Sequence, residues 1–188
     1  TGKDSDPGTL DKPFATITHA VSIVKPGDTV NVRGGTYNLS NGIGLSDNGT
    51  QAAPITFQSA PGEHAILNAS NVPANTTCIV ILGQYVVVKN LECSGPWFQG
   101  MMAWNSQHSQ FIGDTIHGIS QYGMLIAADK MGATSDITIS NTTIYNDGSV
   151  SGGTGGLDVT YADGVTIANN LIYQNHGLGL DFNGAKNI

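Results

Sequence analysis

The sequence predicts an all-β solenoid, a parallel β-helix, and three observations carry that expectation. Apolar pairs at i, i+2 recur along the chain, the positions after each pair recur in a shared register, and no helical stretch separates them. The pairs are Val30/Val32, Ile55/Phe57, Val86/Val88, Ile137/Ile139 and Val165/Ile167, with Ser109/Phe111 as a sixth copy. Counted on the second member, the intervals are 25, 31, 23, 28 and 28 residues, the spacing of stacked repeats. Asn90, Gly113, Asn141 and Asn169 stand two residues after that marker, and Cys93, Ile116, Ile144 and Ile172 five residues after it. A glycine column follows at Gly100, Gly123, Gly156 and Gly179, so one turn takes about 23–28 residues. Short period-two strands separated by Gly, Asn and Ser exclude leucine-rich and βαβ repeats. In a parallel coil each strand pairs with its counterpart one turn on, about 4.8 Å away, so columns of the alignment read as faces.

Taken in order, residues 1–27 are expected to form an N-terminal cap. Phe14, Ile17, Ala20, Val21 and Val24 recur at helical spacing between Pro13 and Pro26-Gly27, which predicts one amphipathic helix lying over the apolar cross-section of the first turn. Residues 28–188 are expected to be β-helix turns. After the glycine column, Cys78/Val80, Met101/Ala103, Met124/Ile126, Leu157/Val159 and Leu180/Phe182 read as the inward set. Ile79/Ile81, Met102/Trp104, Leu125/Ala127, Asp158/Thr160 and Asp181/Asn183 read as the outer set, drifting from apolar to polar along the solenoid. The Asn column is expected to build a hydrogen-bonded ladder at a bend, where Asn tolerates left-handed backbone angles. The final residues repeat the start of the preceding strand without a capping element, so the coil is expected to continue in a longer protein, or another chain to cover its end.

Composition narrows the class. The 188 residues hold 7 Lys+Arg against 14 Asp+Glu, a formal charge of −7, so the field repels polyanions and nucleic acid is not an expected partner. Gly numbers 25, Thr 18 and Asn 16, which turns the chain away from helix formers and excludes a helical bundle. Apolar runs of four or five residues, such as Cys78 to Leu82, are far below the ~20 that span a bilayer. Cys78 and Cys93 leave two readings open, one bridge or two buried thiols. Five histidines show no HxH or HExxH spacing, and neither a Gly-x-Ser-x-Gly elbow nor a phosphate loop occurs.

The opening Gly2-Lys3-Asp4-Ser5-Asp6-Pro7-Gly8-Thr9, then Lys12-Pro13-Phe14-Ala15-Thr16-Ile17, Lys25-Pro26-Gly27-Asp28-Thr29, Val32-Arg33-Gly34-Gly35-Thr36-Tyr37 and Ala60-Pro61-Gly62-Glu63 resemble secreted right-handed parallel β-helix polysaccharide lyases, especially family nine pectate lyases. The resemblance implies a right-handed coil, a secreted or cell-surface location, an acidic polysaccharide as substrate and calcium as cofactor. In that family calcium is held by aspartates of adjacent turns, including an Asn-x-Asp-Asp-Gly-x-Asp run. The comparable stretch here, Asn175 to Asp181, keeps the last acid and has Gly177 and Leu178 in place of the paired ones.

Eliminating across a 4-linked uronate requires neutralising the C6 carboxylate, removing the C5 proton and releasing O4. Asp158 and Asp181, stacked on successive turns, are the expected metal ligands, because two carboxylates that close repel unless a cation or a proton lies between them. Thr160 and Asn183 are expected to add oxygens and to contact substrate, and Lys186 is the candidate base, an amine five residues beyond Asp181. Lys130 is a second lysine candidate, while Arg33, in the first turn, reads as half of a structural ion pair. Trp104 on the outer face and Trp97 nearby are expected to stack on sugar rings. The loops Lys130 to Ser135 and Asn146 to Gly155 are expected to wall the groove. The expectation is thus a calcium-dependent lyase acting on pectate or a related uronan; the alternatives are a non-catalytic glycan-binding or cell-surface scaffold domain and a uronan epimerase.

Overall fold

The computed structural model describes residues 2–149 and 155–188, so residues 150–154 of the longer candidate loop lie outside the described part. Six coils follow one another, each with three strands. The first holds β1 (Thr29–Val32), β2 (Gly35–Leu39) and β3 (Ile43–Leu45); the second β4 (Ile55–Ser59), β5 (Ala65–Ala69) and β6 (Thr77–Ile81). The third holds β7 (Val86–Lys89), β8 (Leu91–Ser94) and β9 (Gln99–Trp104); the fourth β10 (Gln110–Ile112), β11 (Thr115–His117) and β12 (Tyr122–Ala127). After β13 (Thr134–Ser135), the fifth holds β14 (Thr138–Ser140), β15 (Thr143–Tyr145) and β16 (Leu157–Thr160); after β17 (Ala162–Asp163), the sixth holds β18 (Thr166–Ala168), β19 (Leu171–Tyr173) and β20 (Leu180–Asn183). Strands of like position stack into three parallel six-stranded sheets: A begins with β1, B with β2 and C with β3. A short fourth sheet pairs β13 with β17. The fold is the parallel β-helix that the repeat columns predict.

The columns hold with two shifts of phase. In sheet A the interior column is Val30, Phe57, Val88, Phe111, Ile139 and Ile167, so Val30 rather than Val32 lies beneath Phe57. In β6 Cys78 lies inward as expected, but the faces expected of Ile79, Val80 and Ile81 are exchanged. Ile79 and Ile81 pair with Met101 and Ala103 and are fully buried, while Val80 pairs with Met102 on the outer face. The cause is Cys78, which occupies the glycine column one position later than the sequence alignment assumes. A Cβ on Gly100, Gly123 or Gly156 would come within 2.5, 2.5 and 2.8 Å of Ile116, Ile144 and Ile172 in the next coil of sheet B. Where Cys78 replaces that glycine, the opposing isoleucine is replaced by Cys93, and the two close a buried disulfide across the interior. One sulfur pair thus fills the space that glycine and isoleucine share elsewhere.

The cap helix is shorter than the apolar spacing predicts. Asp4 Oδ1 accepts hydrogen bonds from the Ala15 and Thr16 backbone N–H groups, and Thr16 Oγ1 donates to Asp4 Oδ2, which holds these residues out of the helix. Thr16 becomes the N-cap, accepting from the His19 N–H, and α1 (Ile17–Val21) packs against β1 and β3. Arg33 pairs with Glu63 at 2.8 Å, a bridge between the first two coils. No helix of the described residues is long and apolar enough to cross a membrane.

The bends use left-handed residues, as expected of the Asn column: Asn90, Asn141 and Asn169 have φ of 54, 55 and 56°. The bonds between coils come from the residue that follows. Asn170 Oδ1 accepts from Thr142 N–H and its Nδ2 donates to Ile139 O; Asn175 makes the matching pair with Asp147 N–H and Ile144 O. Asp114 and Asp147 hold the same posts on lower coils, accepting through Oδ1 from the Leu91 and Ile119 N–H groups. Their Oδ2 atoms are buried without a partner.

Candidate functional site

The outer face of sheet C carries the sequence-predicted residues in two columns. One runs Val80, Met102, Leu125, Asp158 and Asp181; the other runs Trp104, Ala127, Thr160 and Asn183. Alternation along each strand sends these side chains outward because their neighbours fill the interior, with Leu157 and Val159 at 1% and 0% exposure. Apolar residues occupy the early coils of the face and oxygen-bearing ones the last two.

Asp158 and Asp181 are direct register partners. Asp158 is buried to 5% exposure and accepts a 2.5 Å hydrogen bond from Thr160 Oγ1. Burial pushes its carboxyl above the usual carboxylate range; the Thr160 hydroxyl opposes that shift, and the like charge and hydrogen bond of Asp181 add to it. The Asp158 carboxyl therefore favours its protonated form where it faces Asp181. Tyr122, on the same sheet, was not among the expected site residues. Burial raises its phenol, with further contributions from Asp158 and Asp181, which places it within their field. The signal in the sequence was its position just before the glycine column, where Thr77 and Gln99 stand on earlier coils and bond to each other at 2.9 Å.

Asp158, Asp181, Thr160 and Asn183 are brought together; the remaining candidates are placed apart. Lys186 is exposed beyond the end of β20, in register with Asp163, where its backbone N–H donates to Ala162 O. Trp104 is partly exposed in the Thr160 column. Trp97 is a correction: it is 0% exposed and its Nε1 donates to Leu67 O at 3.3 Å, so it packs the core and cannot stack on a sugar. The turn between sheets B and C carries it inward because its apolar area finds the interior space beside the disulfide. All donors at the Asp158 site are hard oxygens, the ligand type calcium takes. The described residues contain no cluster of three or more His, Cys, Asp or Glu suited to a metal, so the chain supplies two carboxylates and neutral oxygens there.

A stacked parallel coil of this kind is the architecture of polysaccharide-lyase-like β-helices. The chain belongs to the Pel9A-like right-handed beta helix family, whose model matches residues 1–187. Among curated proteins it is 27% identical to the uncharacterized protein YwoF of Bacillus subtilis, over 97% of this chain and 42% of that protein. It is 35% identical to pectate lyase PEL9 of Emericella nidulans, over 38% of this chain and 18% of that protein. Among solved structures, a rhamnogalacturonan lyase superposes with a TM-score of 0.70 at 20% identity, covering 98% of this chain and 60% of that one. An alginate lyase from a Paenibacillus strain superposes with 0.71 at 23% identity, covering 90% of this chain and 62% of that one. The chain thus spans less than half the length of the curated relatives it matches.

Proposed function

We propose that this β-helix is a secreted carbohydrate-active domain that cleaves an acidic glycan, pectate or a related uronan, by β-elimination on the outer face of sheet C. The observation that carries the reading is the stacked Asp158–Asp181 pair, one carboxyl largely buried against the other beside Thr160 and Asn183. Membership of a family named for a pectate-lyase-like helix, and likeness to lyases of three acidic polysaccharides, supports the substrate class. The buried Cys78–Cys93 bridge supports an oxidising, extracellular destination.

Asp158 and Asp181, with Thr160 and Asn183, would hold calcium, which supplies positive charge to offset the uronate carboxylate. Trp104 would place a sugar ring along the same column. Lys186 is assigned the C5 proton: its amine takes the proton, the C–H electron pair forms the C4–C5 double bond, and the C4–O4 bond breaks with O4 taking a proton from solvent. A second reading, a non-catalytic glycan-binding scaffold, is favoured by Gly177 and Leu178 at the positions where paired acids would complete the cation site. Ultraviolet absorbance of unsaturated uronate products separates the two. With polygalacturonate or alginate and calcium, product from the chain that disappears in Asp181→Asn supports the lyase; no product on any uronan supports the scaffold.

A further inference from the structure

The outer face of sheet B holds a second cluster, on a different side of the coil from Asp158. His64 immediately precedes β5, Glu92 lies on β8 and His117 on β11, so three successive coils each contribute one group. Glu92 Oε2 lies 3.0 Å from His64 Nε2, and Glu92 Oε1 lies 3.1 Å from His117 Nε2. A carboxylate only accepts, so each imidazole donates from Nε2 and turns its Nδ1 to other partners. The Glu92 side chain is 15% exposed, against 63% for His64 and 28% for His117: the holder is the least exposed of the three and the held rings reach water. His117 stacks on Tyr145 at 4.9 Å between centroids, and Tyr145 on Tyr173 at 5.1 Å, with planes 14° and 9° apart. Each ring covers the face of the next, so edges and hydroxyl tips point outward along one column of three coils, His117, Tyr145 and Tyr173, while Glu92 and His64 step two residues along their strands at each lower coil and flank that column obliquely.

Lower on the same column the positions are Asn38, Asn68 and Ser94, bonded to one another as a small polar ladder. The upper half replaces that ladder with rigid rings whose tips are polar. Two imidazoles fixed by one carboxylate lose little freedom on binding, and tyrosines add large contact area at low entropic cost. The net charge of −7 and the Glu92 carboxylate disfavour a polyanion held through its charges. A linear chain of sugar rings carries hydroxyls along its edge that can lie against the ring edges and polar tips that His117, Tyr145 and Tyr173 present at 4.9 and 5.1 Å intervals.

We propose that the His117–Tyr145–Tyr173 column, flanked obliquely by Glu92 and His64, is a glycan-binding strip that holds a linear polysaccharide along the helix axis through its hydroxyls rather than its carboxylates. It rests on the reading of the partner as a polysaccharide, and it is independent of any reaction on sheet C.

Titration calorimetry of the chain with oligogalacturonate and with its fully methyl-esterified, uncharged counterpart tests the strip. Both ligands bind, with affinities that change little between low and high salt, since hydroxyl contacts are not screened as charge pairs are. The double variant His117→Ala, Tyr145→Ala weakens both by about tenfold. Glu92→Gln, which retains shape but releases one imidazole, weakens both by about threefold and carries the test should the double variant not fold by circular dichroism. Wild-type affinity in the folded double variant, binding confined to the charged ligand and lost in high salt, or absence of binding by the wild type each overturns the strip. A strip overturned while calcium-dependent product still forms leaves the lyase reading standing; a strip upheld without product on any uronan rejects the lyase reading alone.

Discussion

The ladder acids Asp114 and Asp147 and the outer-face Asp158 share a raised carboxyl pKa and differ in what surrounds them. Asp114 and Asp147 sit inside the bends, each accepting one backbone N–H through Oδ1 and leaving Oδ2 enclosed. Burial pushes Asp114 up to about 8 and Asp147 up to about 7. Asp158 is raised as well, first by burial, but its partner is another carboxyl on the outer face with Thr160 and Tyr122 beside it. A perturbed carboxyl alone therefore does not mark a functional site. What distinguishes Asp158 and its register partner Asp181 is their place on the outer face of sheet C, whereas the ladder acids are sealed by their own coils.

The largest effect expected from breaking this contrast is at Asp114. On higher coils Asn170 and Asn175 donate from the atom that corresponds to Oδ2, to carbonyls of the coil below. By the same placement a protonated Asp114 donates and an ionised one faces a carbonyl oxygen. Between the unfolded value near 3.8 and the native value near 8, the native state keeps a proton that the unfolded chain releases, so stability falls as pH rises through that window. Asp114→Asn is expected to stabilise the protein at pH 7 by a few kcal/mol, on the order of the shift it removes, and to flatten that slope. Urea unfolding at acid, neutral and alkaline pH checks it; an unchanged slope in the variant rejects the assignment.

Asp147→Asn is expected to act in the same direction with a smaller gain, because its native value near 7 lies closer to the unfolded one and its loss of stability is complete at lower pH. The variant would reproduce the Asn175 ladder in coil five. The same unfolding series reads it, and a destabilised variant at pH 7 would show that the two posts are not equivalent.

On the outer face the expected effect is smaller again. Millimolar calcium should raise the melting temperature of the wild type and of Asp114→Asn by a few degrees, corresponding to about 1 kcal/mol of linkage, and leave Asp181→Asn unmoved. Equal shifts in all three proteins would detach calcium from the Asp158–Asp181 pair. The smallest effect is on Tyr122: removing the Asp181 charge lowers its phenol slightly towards the usual range, visible in an ultraviolet titration. A phenol that does not move would place Asp181 outside its field.

Much of the architecture was legible in the chain. The marker, Asn, isoleucine and glycine columns became sheet A, the first bend, sheet B and the corner of sheet C, because a parallel coil stacks like on like and side-chain alternation is strict. The phase of β6 was not legible. Its corner holds Cys78 instead of glycine, and an alignment built on glycine slips by one residue, which exchanges the two faces. Trp97 looked like a sugar platform because aromatic type says nothing about which way a turn delivers it. The His64–Glu92–His117 cluster escaped a search for local ligand spacings, because its members are separated by 28 and 25 residues, each two more than the 26- and 23-residue register of those coils, and so fall in different columns.

By itself the sequence determined the repeat, the parallel stacking, the acidic outer end of sheet C and the family likeness of its cap. Each of these is a periodic or local property, written in side-chain alternation and turn chemistry. Only the tertiary structure decided that the cysteines pair, that Trp97 is core, that one oxygen of each of two ladder acids is enclosed without a partner, and that two histidines share one glutamate. Those outcomes depend on which atoms of neighbouring coils come within bonding distance. That is set by the rotation of each turn about the axis, a quantity no single repeat contains.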